Sequence, residues 1–387
     1  MKKTAIVYPY IAHYREPIFR LLCQQTDNTE YTLFSDRENK LDTVKTADPQ
    51  LAEIPVEQRG LRWKFVKNID LSHHLLWQKG VLSLALGNEY DCIIFLGNAY
   101  YLSTWVGGLL AHIRKKRVLM WSHGFLRDEG GIEGWIRKQF YKLADGMLLY
   151  HNRARDIMIK KGFRPETLYL VYNSLDYDKQ IQVRNTITNQ CLMELRKKLF
   201  DHPELPVLLF IGRLTARRKL DYIIKSAKIL YEQNIKCNVL FVGNGEERSS
   251  IESLARELGL SNYVVFYGAC YSEKELGPVI RMSDLCIAPG GIGLTCMHSL
   301  VYGTPVITHD NPDEQMPEYE AIRPGVNGDF FKQHDIYSLV DILKKWLTCR
   351  KSRQEIAESC YEVIERYYNP NYQLQVIDAA VRNKPIP

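Results

Sequence analysis

Three glycines between two hydrophobic segments form the part of the sequence best suited to binding an anionic ligand. The stretch SDLCIAPGGIGLTCMHSLVYGTPVIT covers residues 283–308 and contains Gly290, Gly291 and Gly293. Because glycine has no side chain, the backbone N–H groups of such a loop can approach a ligand closely, and those at the start of a helix attract negative charge. A helix is predicted to begin near Leu294, so this loop is a candidate phosphate site.

A second segment supplies positive charge after a predicted buried strand. In FIGRLTARRKLDYIIKSA, Arg213 follows the strand, and Arg217, Arg218 and Lys219 stand in the turn before a helix. Such side chains can hold a diphosphate. Taken alone, the segment fits a solvated cationic loop better. Beside the glycine loop it favours a diphosphate clamp.

The two segments resemble the donor-site motifs of the GT-B glycosyltransferases of family 4, also called glycosyl transferases group 1. The usual glycine motif runs E-G-F-G-L, three residues, E-A-M-A, one residue and G-x-P-V-I, and this chain matches it at Gly291, Gly293, Leu294, Gly303, Pro305, Val306 and Ile307. The cationic segment is similar to the family pattern G-R-L, three or four residues, K-G, whose arginine and lysine hold the donor pyrophosphate. Arg213 matches that arginine. The lysine position falls on Arg218 without a gap, or on Lys219 with a shift of one residue.

Both acidic positions of the glycine motif are changed in this chain. Gly290 stands where the first Glu is expected, and His298 stands where the second is expected. The resemblance implies that a carboxylate at the first position supports the donor sugar. His298 could hydrogen-bond a ribose hydroxyl in place of the second Glu. One of four nearby acidic residues could replace the first Glu: Asp310, Asp313, Glu314 or Glu318.

Three further segments extend the implied donor site. FVGNGEERSSIESLA resembles the family's V-G-x-G-x-E turn, with Gly243 at the tight turn, and VVFYGACYSEKEL resembles a strand end that lines the nucleobase pocket. A plain strand end accounts for the second of these equally well. THDNPDEQMPEYEAIRPGVNGDFF resembles the pattern G-G-x-P-E-I-V followed by N-G. The implied donor-binding residues are Gly290, Gly291, Ile292, Gly293, Leu294, Thr295, His298, Gly243, Ala269, Cys270 and Glu318.

A histidine in the first half of the chain completes the implied catalytic set. His123 follows the predicted strand of MWSHGF, where the family usually has a histidine that faces the donor sugar. A lone histidine at a strand end is otherwise more often structural. The resemblance therefore assigns catalytic roles to His123, Arg213 and Arg218 or Lys219.

The N-terminal segment offers candidate acceptor-binding residues. PYIAHYREPIF replaces the glycine-rich loop that the family often has near the N-terminus, and it places His13, Tyr14 and Arg15 there. These residues could receive an anionic acceptor such as a lipid-linked diphosphate sugar. Pairing of Arg15 with Glu16 or Asp36 in a capped helix is an equally good account.

Alternating strand and helix patterns position these residues. Short apolar runs such as TAIVYPY, CIIFLG and RVLMWSHG alternate with helical patterns, and the rhythm restarts at PVLLFIGRL. It predicts the α/β class, with two doubly wound, Rossmann-like domains. We expect an N-terminal domain of 1–176 with about 366–387, and a C-terminal domain of 177–365. The resemblance implies a GT-B fold, in which the domains face a cleft, the first binds acceptor, the second binds donor, and the last helix, from about 371 to 381, crosses back onto the first domain.

Composition narrows the class of protein. The chain has 387 residues, 45% of them hydrophobic, which is enough for two α/β domains. No apolar run approaches the roughly 18 to 20 residues that span a bilayer, and no signal peptide is recognised, so a cytoplasmic protein is expected. Nine cysteines contain no CxxC pair, so buried reduced thiols are expected rather than zinc. Cys296 lies in the ligand loop, where a helix N-terminus lowers a thiol pKa, but a nucleophilic role for it is disfavoured.

Positive charge is concentrated between residues 112 and 142. This segment contains eight lysines and arginines against three acidic residues, and GWIRKQFYKLA places Trp135, Ile136, Phe140, Tyr141 and Leu143 between cations at helical spacing. The pattern is typical of an amphipathic helix on an anionic membrane surface. An ordinary solvated helix with one face packed inward fits equally well. No recognised nucleic-acid-binding motif accompanies the segment.

The sequence therefore predicts a glycosyltransferase. It would move a sugar from a nucleotide-sugar donor to a saccharide acceptor, expected to be lipid-linked, in bacterial surface polysaccharide biosynthesis such as that of lipopolysaccharide or capsule. We expect it to be peripheral to the inner face of the plasma membrane. The resemblance implies a retaining reaction, and no metal is expected because cations can stabilise the departing diphosphate.

Two alternatives remain. Loss of both glutamates suggests a catalytically inactive nucleotide-sugar-binding subunit that supports a partner transferase. A GT-B nucleotide-sugar epimerase is less well supported, because it would need acid and base carboxylates that the motif does not offer.

Overall fold

The structure is a computed structural model that describes residues 1–25, 27–39, 44–72, 75–349 and 351–385. Its contacts divide the chain into two compact units. The first consists of Met1–Asp176 with Tyr367–Pro387, and the second of Tyr177–Arg366.

The strands are β1 (Lys2–Val7), β2 (Thr29–Ser35), β3 (Trp63–Phe65), β4 (Asn68–Ser72), β5 (Leu75–Gln78), β6 (Cys92–Leu96), β7 (Arg117–Ser122), β8 (Gly146–Leu149), β9 (Leu168–Leu170), β10 (Val207–Ile211), β11 (Asn238–Val242), β12 (Val264–Gly268), β13 (Leu285–Ala288), β14 (Val306–His309) and β15 (Gly328–Phe331).

The α-helices are α1 (Glu16–Gln24), α2 (Val81–Leu86), α3 (Leu102–Ile113), α4 (Gly131–Tyr141), α5 (Asn152–Lys160), α6 (Tyr177–Thr186), α7 (Asn189–Leu199), α8 (Asp221–Glu232), α9 (Arg248–Glu257), α10 (Glu273–Met282), α11 (Thr295–Val301), α12 (Ile336–Leu347), α13 (Arg353–Tyr367) and α14 (Pro370–Arg382).

Each unit contains a parallel sheet whose strand order reverses once. The first sheet has the order β3-β2-β1-β6-β7-β8-β9, and the second has the order β12-β11-β10-β13-β14-β15. β4 and β5 form a separate antiparallel pair. In a doubly wound sheet, ligands bind outside the carboxyl ends of the strands where the order reverses. These points lie between β1 and β6 in the first unit and between β10 and β13 in the second.

The central strands are mostly apolar because helices cover both faces of a parallel sheet. All five residues of β11 are buried, as are all four of β13. The α/β class and the two Rossmann-like sheets that the alternating pattern predicts are confirmed.

The C-terminal helix is part of the first unit. Val376, Ile377, Ala380 and Val381 of α14 are fully buried in a core cluster with residues of α1, β1 and β7. Fully burying an aliphatic side chain of this size stabilises a fold by about 2 kcal/mol. The return of the last helix onto the first domain, implied by the resemblance, is confirmed.

The predicted amphipathic helix is present as α4, and two of the five aromatic and aliphatic side chains in the predicted pattern face inward. Phe140 and Tyr141 are buried, because the Phe140 ring packs 5.0 Å from the Trp105 ring and the Tyr141 hydroxyl donates to the Gly124 carbonyl at 3.2 Å. Trp135 stays exposed. In the part of the chain that the structure describes, no helix has the length and hydrophobicity needed to cross a bilayer.

Candidate functional site

The glycine loop and the cationic turn meet in the second unit. The backbone N–H of Gly290 donates to the Arg218 carbonyl at 3.1 Å, and Nη1 of Arg218 donates to the Gly291 carbonyl at 3.1 Å. The hydroxyl of Thr295, the first residue of α11, donates to the Ile211 carbonyl at the end of β10 at 3.3 Å. The two motifs that the sequence placed 73 residues apart therefore form one loop system at the reversal point of the sheet.

Gly290 has no room for any side chain. A Cβ atom there would overlap the carbonyl oxygen of Arg217 and lie 2.6 Å from the Cα atom of Arg218. Both are backbone atoms, which cannot rotate away as a side chain would. Packing therefore excludes the carboxylate that the family motif has at this position. Backbone atoms of the cationic turn occupy the space.

Two strand ends also touch in the second unit. Gly243 follows β11 with a φ of 144°, and a Cβ atom there would overlap the carbonyl oxygen of Gly212, the residue before Arg213. Glycine tolerates this backbone conformation and this close approach. The Gly243 turn predicted by the sequence thus lies against the turn that carries Arg213, whose side chain is exposed.

The structure separates the two candidates for the lysine position. Arg218 is partly buried against the glycine loop, and burial together with the charge of Arg217 lowers its pKa. Lys219 instead lines a recess of about 380 Å³ with Arg217 and the acidic residues Asp313 and Glu314. Arg218 therefore donates a hydrogen bond to the glycine loop, while Lys219 lines a recess that also includes Gly290.

Three of the four candidate acidic residues lie near the loop, since Asp313 and Glu314 line a recess together with Gly290. Glu318 is buried, and one of its carboxylate oxygens is 3.9 Å from where a Cβ atom of Gly293 would stand. Asp310 accepts from the backbone of Gln333 at 3.0 Å, and Glu314 accepts from the Gln333 side chain at 2.8 Å. Of the four, Glu318 is the buried one, and the other three are exposed; that one of them replaces the missing carboxylate stays a prediction.

His298 lies beside the first residue of α10, the helix that follows β12. Nε2 of His298 lies 3.4 Å from a carboxylate oxygen of Glu273, the first residue of α10. Ala269 and Cys270 stand in the loop between β12 and α10, where Ala269 is exposed. Their position at a strand end agrees with the sequence, while their contact with a nucleobase stays a prediction.

Cys296 is a buried thiol. Its side chain is fully buried, and burial, followed by the charge of Glu318, raises the pKa of the Cys296 thiol well above its ordinary value. A nucleophilic cysteine needs an accessible thiolate. The geometry agrees with the sequence argument against such a role.

The first unit contains a cavity of about 440 Å³ at its own reversal point. The ends of β1, β6 and β7 form it, and its walls include Tyr14, Arg15, Asn98, His123 and Tyr150. Tyrosine rings suit the apolar faces of sugars and their hydroxyls suit the polar edges.

Arg15 is a buried cation in the wall of this cavity. It is 8% exposed, its Nη1 donates to the Tyr8 hydroxyl at 2.8 Å, and its guanidinium lies 4.8 Å from the Trp121 ring and 5.2 Å from the Tyr150 ring. The proposed pairing with Glu16 or Asp36 is not formed. Buried charges are normally paired, yet no carboxylate among the described residues neutralises this one.

The three N-terminal candidates do not share one site. Tyr14 and Arg15 line the cavity, whereas His13 does not. The exposed His13 ring instead bonds through Nδ1 to the Lys45 carbonyl at 3.0 Å.

His123 is neutral at physiological pH. Burial, followed by the charge of Arg15, lowers the pKa of His123 to about 4. Its Nδ1 and the hydroxyl of neighbouring Tyr150 are buried and have no hydrogen-bond partner among the described residues. A neutral imidazole in this position can hydrogen-bond a sugar hydroxyl, but it does not carry a proton for general acid catalysis.

We expect His123 and His151 to make the first unit sensitive to acid. The pKa of His151 is also lowered to about 4 by burial and by His123, whereas an unfolded histidine titrates near about 6.5. Between about pH 6.5 and pH 4 the unfolded chain binds protons that the folded chain does not, so the free energy of unfolding falls as the pH falls.

Urea unfolding at pH 7.5 and pH 5, with NMR titration of the histidine rings, measures this effect. The His151→Asn variant should lose less stability than the wild type between the two pH values. Ring titration of His123 near pH 6.5 would contradict the expected neutral state.

Sequence reasoning missed several polar groups of these sites. Glu273 could have been noticed as the first residue of a helix after a strand end, but no motif marked its contact with His298. Tyr8 and Tyr150 come from separate strand ends, and only the fold brings them to Arg15. Within the described ranges, no group of three or more His, Cys, Asp or Glu side chains is arranged to hold a metal ion.

Comparison with known proteins agrees with this architecture. Residues 193–363 match the family Glycosyl transferases group 1. Alpha-D-kanosaminyltransferase of Streptomyces kanamyceticus is 23% identical over 61% of this chain and 59% of its own length, so the match spans less than two thirds of that relative.

Solved structures share the fold over almost the whole chain. Anabaena Alr3699/HepE in complex with UDP has a TM-score of 0.71 at 16% identity, covering 99% of this chain and 100% of that one. The lipopolysaccharide outer core galactosyltransferase WaaB has a TM-score of 0.68 at 16% identity, covering 98% and 99%.

The two parallel sheets, the returning C-terminal helix and these structural matches show that the chain has the GT-B fold. Its residues 193–363, which carry the glycine loop, match the family Glycosyl transferases group 1.

Proposed function

We propose that this protein is a family 4 enzyme that transfers a sugar, with retention of anomeric configuration, from a nucleotide-sugar donor to an anionic, lipid-linked saccharide acceptor. The observation that carries the proposal is the contact of Arg218 with the glycine loop at the sheet's reversal point. HepE is described in complex with UDP, and WaaB is named a lipopolysaccharide outer core galactosyltransferase. Both support a nucleotide-sugar donor and a role in bacterial surface polysaccharide synthesis.

The second unit supplies the groups that a departing diphosphate needs. Arg213 and Arg218 provide positive charge, and the glycine loop provides backbone N–H groups without steric hindrance. Since cations can stabilise the leaving group, we propose that no metal is required. Glu318 takes the role of the carboxylate that Gly290 cannot carry, and supports the positive charge that develops on the donor sugar.

Donor turnover tests this proposal directly. Purified protein is incubated with UDP-, GDP- and ADP-sugars and lipid-linked acceptors, with and without EDTA, and released nucleoside diphosphate is measured. We expect release with one donor, unchanged by EDTA and abolished in Arg213→Ala. Release that EDTA abolishes would contradict the metal-independent part of the proposal.

The acceptor site is proposed in the cavity of the first unit. Arg15 would pair with a phosphate of the acceptor, which would give the buried guanidinium the counter-charge it lacks. The neutral His123 and the Tyr150 hydroxyl would then hydrogen-bond the saccharide.

We expect Arg15→Met to raise the KM for the acceptor by about tenfold or more, because a hydrogen bond to a charged group contributes about 1.5–3 kcal/mol. Donor affinity should stay within about twofold, and both constants are measured by initial rates and calorimetry. His13→Ala is the matched control, since His13 lies outside the cavity. An equal loss of donor and acceptor affinity in Arg15→Met would indicate a structural role for Arg15.

A membrane-facing surface is proposed on α3 and α4. Ile132 and Trp135 on α4 are 78% and 63% exposed, and Leu109 and Ile113 on α3 are 53% and 72% exposed. The rings of Trp105 and Phe140 bring these helices together. Exposed cations flank the apolar side chains: Arg114, Lys115, Arg127 and Lys142. This combination suits the anionic inner leaflet of the plasma membrane, where a cytoplasmic enzyme meets lipid-linked acceptors.

We expect the double variant Ile132→Asp with Trp135→Asp to bind vesicles containing phosphatidylglycerol at least about tenfold more weakly, because it replaces apolar contact area with two charges that anionic lipids repel. Vesicle co-sedimentation at low and high salt measures the effect. Tyr337→Asp on α12, also exposed, is the control. Wild-type binding by the double variant would place the membrane contact elsewhere.

The packing around Gly290 favours one alternative, a catalytically inactive nucleotide-sugar-binding subunit. The site excludes the carboxylate that the family motif has there. Tight donor binding without release of nucleoside diphosphate, across a broad acceptor panel, would support this alternative.

A further inference from the structure

A recess of about 330 Å³ lies at the amino ends of strands in the first sheet. Its lining includes Lys2 and Arg117, the first residues of β1 and β7, and Asp91, which directly precedes β6. His123 and its cavity lie beyond the other end of β7, and the six residues of this strand span about 20 Å. The recess is therefore separate from the proposed acceptor site.

Positive charge dominates the lining of this recess. One carboxylate, that of Asp91, stands against five cations: Lys2, Arg114, Lys115, Lys116 and Arg117. Oδ2 of Asp91 accepts from the backbone N–H of Lys3 at 2.9 Å. Within the described ranges, none of the five cations forms an ion pair with a carboxylate. The lining thus has a net charge of +4.

Two of these cations are held by the end of α14. Nζ of Lys2 donates to the Val381 carbonyl at 3.2 Å, and Nε of Arg117 donates to the Ala380 carbonyl at 2.8 Å. Nη2 of Arg117 is buried and has no hydrogen-bond partner among the described residues. The last carbonyls of a helix carry only a partial negative charge. They therefore orient the two side chains without neutralising them.

Lys116 shows that the cations act on one another. Its side chain is buried, and its Nζ donates to the Leu84 carbonyl at 3.0 Å. Burial, followed by the charge of Arg114, lowers the pKa of Lys116. Charges of one sign repel most strongly where water is partly excluded. An anion bound in the recess would offset this repulsion.

Apolar side chains are exposed next to the lining residues. Leu86 and Ile113 are 48% and 72% exposed, and they directly precede the lining residues Gly87 and Arg114. They are the last residues of α2 and α3, which pack against each other. Ile113 is also part of the proposed membrane-facing surface. A cationic recess with apolar neighbours suits the boundary between lipid headgroups and acyl chains.

We propose that this recess binds the phosphate of an anionic phospholipid headgroup, with Leu86 and Ile113 against the acyl region. The inference rests on the proposed membrane-facing surface of α3 and α4, and adds to it a site for one headgroup. A volume of about 330 Å³ is the share of roughly ten water molecules, which leaves room for a phosphate with a glycerol substituent. Several cations can then donate to the phosphate oxygens at once.

Vesicle co-sedimentation at equal surface charge tests the proposal. Phosphatidylcholine vesicles contain either phosphatidylglycerol or oleate, matched in zeta potential. A phosphatidylglycerol headgroup protrudes from the bilayer and can enter the recess, whereas the carboxylate of oleate ends at the bilayer surface. We expect the wild type to bind the phosphatidylglycerol vesicles about tenfold more tightly, which is the effect of one charge-assisted hydrogen bond.

Two double variants of equal charge separate the recess from general attraction to the membrane. Arg114→Gln with Lys115→Asn removes two exposed cations of the recess, and asparagine tolerates the φ of 57° at position 115. This variant should bind the two kinds of vesicle within about twofold of each other, because the charge-assisted hydrogen bonds are lost.

Arg127→Gln with Lys142→Gln is the matched control. It removes two exposed cations of the membrane-facing surface that do not line the recess. It should bind both kinds of vesicle more weakly and keep the preference for phosphatidylglycerol. Thermal unfolding of each variant checks the fold. Equal loss of the preference in both double variants would overturn the headgroup site.

The remaining outcomes separate the source of the phosphate from the membrane surface. Calorimetry with sn-glycerol 3-phosphate should give a dissociation constant at least about 100-fold larger than that for phosphatidylglycerol in vesicles, because the soluble ester makes no apolar contact. A soluble ester that bound as tightly as the lipid would overturn the lipid assignment. Equal wild-type binding to both kinds of vesicle would leave the membrane-facing surface standing and overturn the headgroup site. Binding to neither kind would overturn both.

Discussion

Gly290→Ala is expected to lower the free energy of unfolding of the second unit by about 3 kcal/mol or more and to abolish donor binding. The added Cβ atom would overlap the Arg217 carbonyl and press on the Arg218 backbone, and overpacking against backbone costs more than overpacking against a mobile side chain. Moving the cationic turn would also displace Arg218 from Gly291. Urea unfolding and calorimetry with nucleoside diphosphate measure the two effects.

Gly293→Ala is the matched control in the same loop. A Cβ atom there would meet the side chain of Met316 at 3.5 Å, an ordinary van der Waals contact, so stability should change by less than about 1 kcal/mol. A decisive contrary result would come from Gly290→Glu, which restores the family's residue. If that variant folded normally and gained activity, the packing argument at Gly290 would be wrong.

Arg218→Ala is expected to reduce kcat/KM by about 100-fold or more. Removal of one preorganised group that stabilises charge in a transition state typically has an effect of this size. Arg218 is partly shielded from water, so its charge acts more strongly on a diphosphate than that of an exposed lysine. Steady-state kinetics with the donor identified in the turnover assay measure the loss.

Lys219→Asn tests the other candidate for the lysine position of the family motif, which the sequence left open. Lys219 has a φ of 53°, a conformation that asparagine tolerates, so the substitution removes the charge without straining the backbone. We expect kcat/KM within about threefold of the wild type, because Lys219 lines the recess with Asp313 and Glu314. A loss equal to that of Arg218→Ala would assign the pyrophosphate contact to Lys219 instead.

Much of the fold was predictable from local pattern. Strands such as Leu285–Ala288 are uninterrupted apolar runs, as burial on both faces requires, and the intervening helices have one apolar face. The sequence did not distinguish which aromatic residues of α4 turn inward. Tyr141 and Trp135 are both large aromatic residues at helical spacing among cations. Only contact with α3 and the 122–125 loop decides which of them is buried.

Only some residues of the candidate sites could be predicted from the sequence. Gly291 and Gly293 could be read as loop glycines because their spacing matches a family motif, and Gly243 because its turn needs a backbone that other residues rarely adopt. Glu273 could not be found in this way, since its partner His298 is 25 residues further along the chain and the pair forms only when α10 packs beside α11. The sequence left Arg15 open between an acceptor-binding role and pairing with an acidic residue of a capped helix, and burial among Tyr8, Trp121 and Tyr150 makes it a cation without a carboxylate.

The sequence by itself determined the class of fold, the place of the glycine loop and the presence of cations beside it, because these depend on short-range hydrophobic periodicity and on residue types at fixed spacing. Only the tertiary structure decided that Gly290 is closed to any side chain, that Arg218 donates to the Gly291 carbonyl, and that Glu273 lies beside His298. The physical reason is that each of these depends on atoms from distant segments that come within a few ångströms once the strands of a parallel sheet align their carboxyl ends.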